Sequence, residues 1–230
     1  MKLRKRKPGE RDPEGTRRAI LSAAQALLSR DGPEGLSVSQ VANIAGINRG
    51  TAYQHFSDRE SLLNATIESS SQALIDAVWP PRQKANAKAG VPFDDTTVYE
   101  TAQRLATFTT ENASFCRIWL FKLLTSEQPG NDPFGRAWID VVTAFAKSND
   151  AVPGVDGEAF AIITLMAYLI WPIWMHAEKQ GPRRKRQIAD RIAKEILRVS
   201  MYGEMKADRF PVVHKVLQRD AAKTAPRQKK

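Results

Sequence analysis

The chain has 230 residues, 42% of them hydrophobic, and a formal net charge of +10. That is enough for one large domain or two small ones with a real core, and the charge suits a polyanionic partner, nucleic acid or an anionic membrane surface. A single cysteine, Cys116, excludes an intramolecular disulfide framework and a thiolate metal cluster. No apolar run follows the charged N-terminus, so no secretory leader is expected and a reducing cytoplasm fits. His55, His176 and His214 are scattered, so no metal site is expected. No Gly-rich phosphate loop, nucleophile motif or paired His/Cys constellation is present either, so the chain does not read as an enzyme and needs no cofactor.

Residues 1–15 lack periodicity. Lys2, Arg4, Lys5, Arg6 and Lys7 form a basic arm broken by Pro8, Gly9 and Pro13, free in the isolated protein and suited to DNA phosphates. Helical spacing starts at Thr16, a candidate cap. Ala19, Ile20, Ala23, Ala24, Leu27 and Leu28 make one apolar face, with Arg17, Arg18, Gln25 and Arg30 outside it. Asp31-Gly32-Pro33 breaks the chain.

Residues 37–56 read as two short helices joined by a tight turn. Val38, Val41, Ala42 and Ala45 give the first an apolar face, and Ser37 can cap it. Gly46 can take the left-handed conformation that ends the helix. Asn48 stands where a second cap is needed, and Ala52, Tyr53 and Phe56 carry the inward spacing of the second helix. Small residue, turn glycine, apolar Ile47 and second cap together fit a helix-turn-helix; an ordinary helical hairpin is the competing reading. Within the second helix, Arg49 suits guanine, Gln54 suits adenine, and Thr51 suits a phosphate or a thymine methyl, while Gly50 allows close backbone approach. Tyr53 reads equally as a half-buried ring, and His55 as a solvated side chain.

Ser57 or Asp58 should cap the next helix, whose apolar residues run from Leu62 to Val78 before Trp79 and Pro80-Pro81. About twenty residues span ~30 Å, long enough to join two units. Residues 80–96 read as a surface loop. Further helices are expected from 97 to about Asn112, around 115–124, and around 137–145, separated by loops. Residues 158–178 are apolar throughout: 159–177 carry no formal charge apart from His176. Their length approaches a membrane span. Asp156, Gly181-Pro182, Thr164, Tyr168 and Pro172 favour instead a helix buried on two sides, against its own domain and against a second copy. Pro172 should kink it. An amphipathic helix over 183–205 follows. The pair suggests a four-helix interface between two copies, with Leu169, Ile173, Ile188, Ile192 and Ile196 as contacts. The tail from 211 to 230 is basic.

The runs RRAILSAAQALLSRDG, SVSQVANIAGI and NRGTAYQHFSDRESLL, within residues 16–63, resemble the N-terminal domain of the tetracycline-repressor (TetR) family of bacterial regulators. The resemblance implies an all-α fold of about nine helices, with a three-helix DNA-binding domain and a helical ligand-binding and dimerisation domain. The corresponding division is 1–15 arm, 16–62 DNA-binding domain with the start of helix 4, 63–210 helical domain and 211–230 tail. It implies a homodimer on a palindromic double-stranded operator, usually a repressor, released by a small-molecule effector. Stable membrane insertion is not expected; a dimer without an inducer, or a regulator held at the membrane through 159–177, are the alternatives.

Carried over, the resemblance puts Arg49, Gly50, Thr51 and Gln54 in the major groove. Tyr53 and His55 fall on phosphates or neighbouring bases, and Ser37 and Ser39 at the phosphate-contacting end of helix 2. Asn48 joins this surface through its cap. Arg59 stands where lysine is usual and keeps the charge. Ala52 is smaller than the usual residue, which implies looser packing. Among the aromatic and Met side chains of the second half, Phe115, Trp119, Trp138, Met166, Trp171 and Met175 are the candidates for a ligand pocket.

Overall fold

A computed structural model describes residues 12–79, 95–202 and 218; among them the regular structure is α-helix with short 3-10 turns and no strand. The all-α expectation holds. The basic arm up to Arg11, the loop over 80–94 and the tail lie outside the described residues. Two compact units divide inside one helix, between Ser70 and Ser71, later in the chain than the boundary expected at 62.

The first unit holds α1 (Pro13–Asp31), α2 (Val38–Ile44), α3 (Arg49–His55) and the first half of α4 (Arg59–Val78). α1 starts earlier than Thr16. The Asp12 carboxylate accepts from the Gly15 amide at 2.9 Å, and Pro13 enters the first turn, where its missing N–H costs nothing. One face of α1 is sealed by Ile20, Leu21, Ala24, Leu27 and Leu28. Burying each large side chain contributes about 1.5–3 kcal/mol. Ala19, expected on that face, is exposed. α2 packs on α1 and α3 on α2. Val41, Ala42 and Ala52 are each 0% exposed, so the helices cross on small and β-branched residues.

The second unit runs from Ser71 and contains the rest of α4, then α5 (Asp95–Glu111), α6 (Ala113–Thr125), α7 (Pro133–Ala146), α8 (Gly157–Trp174) and α9 (Pro182–Tyr202). α5 begins inside the stretch expected to be loop. α8 packs against α5, α6, α7 and α9, and α9 lies along α5. The core draws on Leu105, Cys116, Trp119, Phe134, Leu165, Tyr168, Leu169 and Ile188. Asp132 holds two elements at once. One carboxylate oxygen caps α7 through the Gly135 amide at 2.8 Å, and the other accepts from the Ser71 hydroxyl at 2.6 Å. α8 stops at Trp174 rather than running to Glu178. Pro172 removes a backbone donor in its last turn, and the chain turns away through His176, which takes a left-handed φ of 49°.

One expectation about this unit needs correction. Leu169 and Ile188, expected at a dimer interface, are 1% and 2% exposed within a single protomer and fill its own core. Ile173, Ile192 and Ile196 are partly exposed, as an interface requires. The six candidate pocket residues have different packing partners. Trp138 stacks near Phe134, Trp79 and Tyr168, and its indole N–H donates to the Ala161 carbonyl at 3.0 Å. Trp171 and Met175 pack around Ala113, Ala177 and Ile188 instead, and the Trp171 indole donates to the Ile188 carbonyl at 3.1 Å. Phe115 sits edge-on to Phe108, Trp119 is buried and Met166 is partly buried. Apolar side chains of the same type serve two packing clusters here, and composition alone could not divide them.

Candidate nucleic-acid interface

The interface is built from α2, the turn and α3. Ser37 caps α2: its hydroxyl oxygen accepts from the Gln40 amide at 3.1 Å and its proton goes to Gln40 Oε1 at 3.1 Å. Gly46 then takes φ +66°, the left-handed conformation that lets the chain reverse. Asn48 caps α3, its side-chain oxygen accepting from the Gly50 amide at 2.8 Å. Ile47 returns its amide to the Ala42 carbonyl at 2.9 Å, which ties the turn to α2.

These caps fix which face of α3 turns outward. Ala52, and Phe56 just past the helix, point into the unit. Arg49, Gly50, Tyr53 and Gln54 are exposed, Thr51 and His55 partly so. Residues 49 and 53, and 50 and 54, stand one above the other at i, i+4, so cation, open backbone, phenol and amide share one ridge. Tyr53 is 48% exposed and its hydroxyl lies 3.4 Å from Ser39 Oγ, linking the outer edges of α3 and α2. The ridge therefore offers an Arg fork and an amide for base edges, with hydroxyls for phosphate at its flank. Asn48 and Ser37 belong to the surface mainly as caps, because their side-chain oxygens are already engaged.

Two features at the rim differ from expectation. Arg59 donates from Nη2 to the Pro33 carbonyl at 2.7 Å and lies 3.9 Å from Glu34, so part of its fork braces the start of α4 and is not free for phosphate. Arg17, expected merely outside the apolar face, lays its guanidinium over the Phe56 ring at 4.8 Å. At the same junction Asp58 caps α4. The Ser61 amide, followed by the Ser57 hydroxyl, donates to its carboxylate and holds it below its ordinary range. Asp12-Pro13 was a readable start signal for α1; the Arg17–Phe56 and Arg59–Pro33 contacts join distant segments and left no local mark.

Two capped helices crossing on small residues, with a polar ridge outward, define a helix-turn-helix of the DNA-reading kind. Residues 20–66 match the family model of bacterial regulatory proteins of the tetR family. The chain is 29% identical over 97 residues to the HTH-type transcriptional regulator BetI of Cronobacter sakazakii, covering 38% of this chain and 48% of that one. It is 34% identical over 65 residues to the HTH-type transcriptional regulator AcrR of Shigella flexneri, 28% of this chain and 30% of that one. The chain thus matches about half or less of the length of these curated relatives. The fold is also that of a fatty acid degradation regulator, FadR, from Bacillus halodurans: TM-score 0.62, 12% identity, 84% of this chain and 97% of that one. Over residues 20–66, then, the chain is similar to the DNA-binding region of TetR-family regulators, and the described residues share their fold.

Proposed function

We propose that the protein is a sequence-specific DNA-binding transcriptional regulator of the cytoplasm, working as a homodimer on a palindromic operator. The observation that carries this reading is the outward ridge of Arg49, Gly50, Tyr53 and Gln54 on a helix capped and seated by α2. The net charge of +10 favours the encounter with DNA. The dimer is supported by the apolar side chains that α8 and α9 leave uncovered: Ile163, Ile170 and Trp174 on one, Val199 and Met201 on the other. A row of that size on a monomer marks an association surface.

The regulator acts as a repressor released by a small apolar or aromatic ligand in the aromatic-rich second unit. Two recognition helices in a symmetric dimer must match half-sites about one turn, ~34 Å, apart. A ligand that favours another separation lowers DNA affinity by its differential binding to the two states. α4, continuous across both units, is the element through which this reaches α3. Selection of genomic fragments bound by the full chain tests the reading. Enrichment of fragments sharing an inverted repeat is expected; an enriched pool with no common motif would contradict it.

A further inference from the structure

The guanidinium of Arg17 lies 4.8 Å from the centre of the Phe56 ring, and Phe56 is the residue at which α3 ends. Phe56 is 3% exposed, and its amide closes α3 onto the Ala52 carbonyl at 3.0 Å. Whatever holds Phe56 therefore holds the C-terminal end of the recognition helix. Arg17 itself is only partly buried. A guanidinium stacked on a ring commits its flat face, while its N–H donors lie in the plane and point away from the ring. The stack fixes the fork without using its hydrogen bonds. Arg18 follows Arg17 directly, so two cations stand side by side near the start of α1. An anion at the fork would relieve both charges. Arg59, the other cation at the α3–α4 junction, already gives Nη2 to the Pro33 carbonyl. Arg17 precedes the stretch 20–66 that matches the family model.

We propose that Arg17 is a DNA-backbone anchor: stacked on Phe56, it presents its N–H donors to a phosphate beside the half-site read by α3, and so sets the register of the recognition helix. This rests on the DNA-binding reading above. Both parts of the role follow from one geometry. The ring fixes where the charge stands, and the charge holds the ring's helix against the duplex.

The test is binding of the full chain to a selected operator fragment across a salt series, comparing wild type, Arg17→Met and Arg17→Lys. Met keeps an unbranched apolar chain on Phe56 and removes the charge. Lys keeps the charge and loses the planar fork. Arg17→Met should lower affinity roughly tenfold, the fold-change of one charge-assisted hydrogen bond, and reduce the slope of log affinity against log salt by about one. Arg17→Lys should keep the wild-type slope and recover part of the affinity. Wild-type affinity and slope in Arg17→Met would overturn the proposal. So would lost affinity with an unchanged slope, which marks a packing role alone. If Arg17→Met does not fold, Arg17→Lys decides: a reduced slope there overturns the anchor. A wild-type chain that binds no operator selectively overturns the DNA reading itself, a different outcome from operator binding that Arg17→Met leaves untouched.

Discussion

Gly157 shows how far one hydrogen atom can matter in this chain. It opens α8 where that helix presses on α7, and a Cβ there would lie 2.7 Å from Thr143 Cα and 3.0 Å from Ala146 Cβ. The nearer neighbour is backbone and cannot swing aside. Gly157→Ala is therefore expected to destabilise the protein by about 1–3 kcal/mol despite alanine's better helix propensity. A lower midpoint in urea or thermal unfolding is the expected result; an unchanged or higher midpoint would show that α7 yields. Cys116 sits at the opposite extreme of influence. Burial pushes its thiol up to about 12, so it stays protonated and inert and serves as a small core residue. On the candidate interface, the sequence was most readable where one residue acts on its immediate neighbours. Ser37, Gly46, Asn48 and Asp58 each do what their chemistry and position suggest. The contacts of Arg17 and Arg59 are not legible in the sequence because their partners, Phe56 and the Pro33 carbonyl, are far away along the chain.

Among the elements, α8 carries the most information. It is the one described helix long and apolar enough to cross a membrane, with a mean hydropathy of 1.5. Its apolar residues fall into two sets. Ala161, Leu165, Tyr168, Leu169 and Pro172 are buried against neighbouring helices, while Ile162, Ile163, Ile170 and Trp174 face outward. Periodicity cannot separate such sets when the whole helix is apolar, because there is no polar face to set the phase. That is why Leu169 reads as an interface residue from sequence although it fills the core; on the amphipathic α9, Ile188 is likewise buried, while Ile192 and Ile196 are partly exposed. Ile170 is 50% exposed and lies mid-row on the outward face of α8. Ile170→Lys leaves the protomer core intact and puts a charge into the proposed contact. Its expected effect is a shift toward monomer in light scattering at micromolar concentration, with helicity unchanged. A mass equal to wild type would move the interface off α8.

At the scale of the whole molecule, the chain divides into two units inside α4. Ser70 and Ser71 are adjacent on that helix and bond in opposite directions. Ser70 Oγ takes a hydrogen bond from Gln25 of α1, and Ser71 Oγ donates to Asp132 beside α7. Each unit thus holds its own part of α4 through one of that helix's buried hydroxyls. The layout of an N-terminal reading unit and a helical second unit was legible from the short caps and the runs of apolar spacing. The grouping of aromatic side chains in the second unit was not, since many packings satisfy the same composition.

α3 is the proposed reading helix. Arg49 and Tyr53 are one turn apart on its outward ridge and take no part in the buried core, so replacing both leaves the fold and the association surface in place. The direct measurement is a gel shift at physiological salt with a selected operator fragment and the Arg49→Ala, Tyr53→Ala double variant, checked as a dimer by light scattering. Loss of sequence-specific binding by an intact dimer is the expected result. Operator affinity equal to wild type would contradict the assignment of α3 and, with it, the central claim.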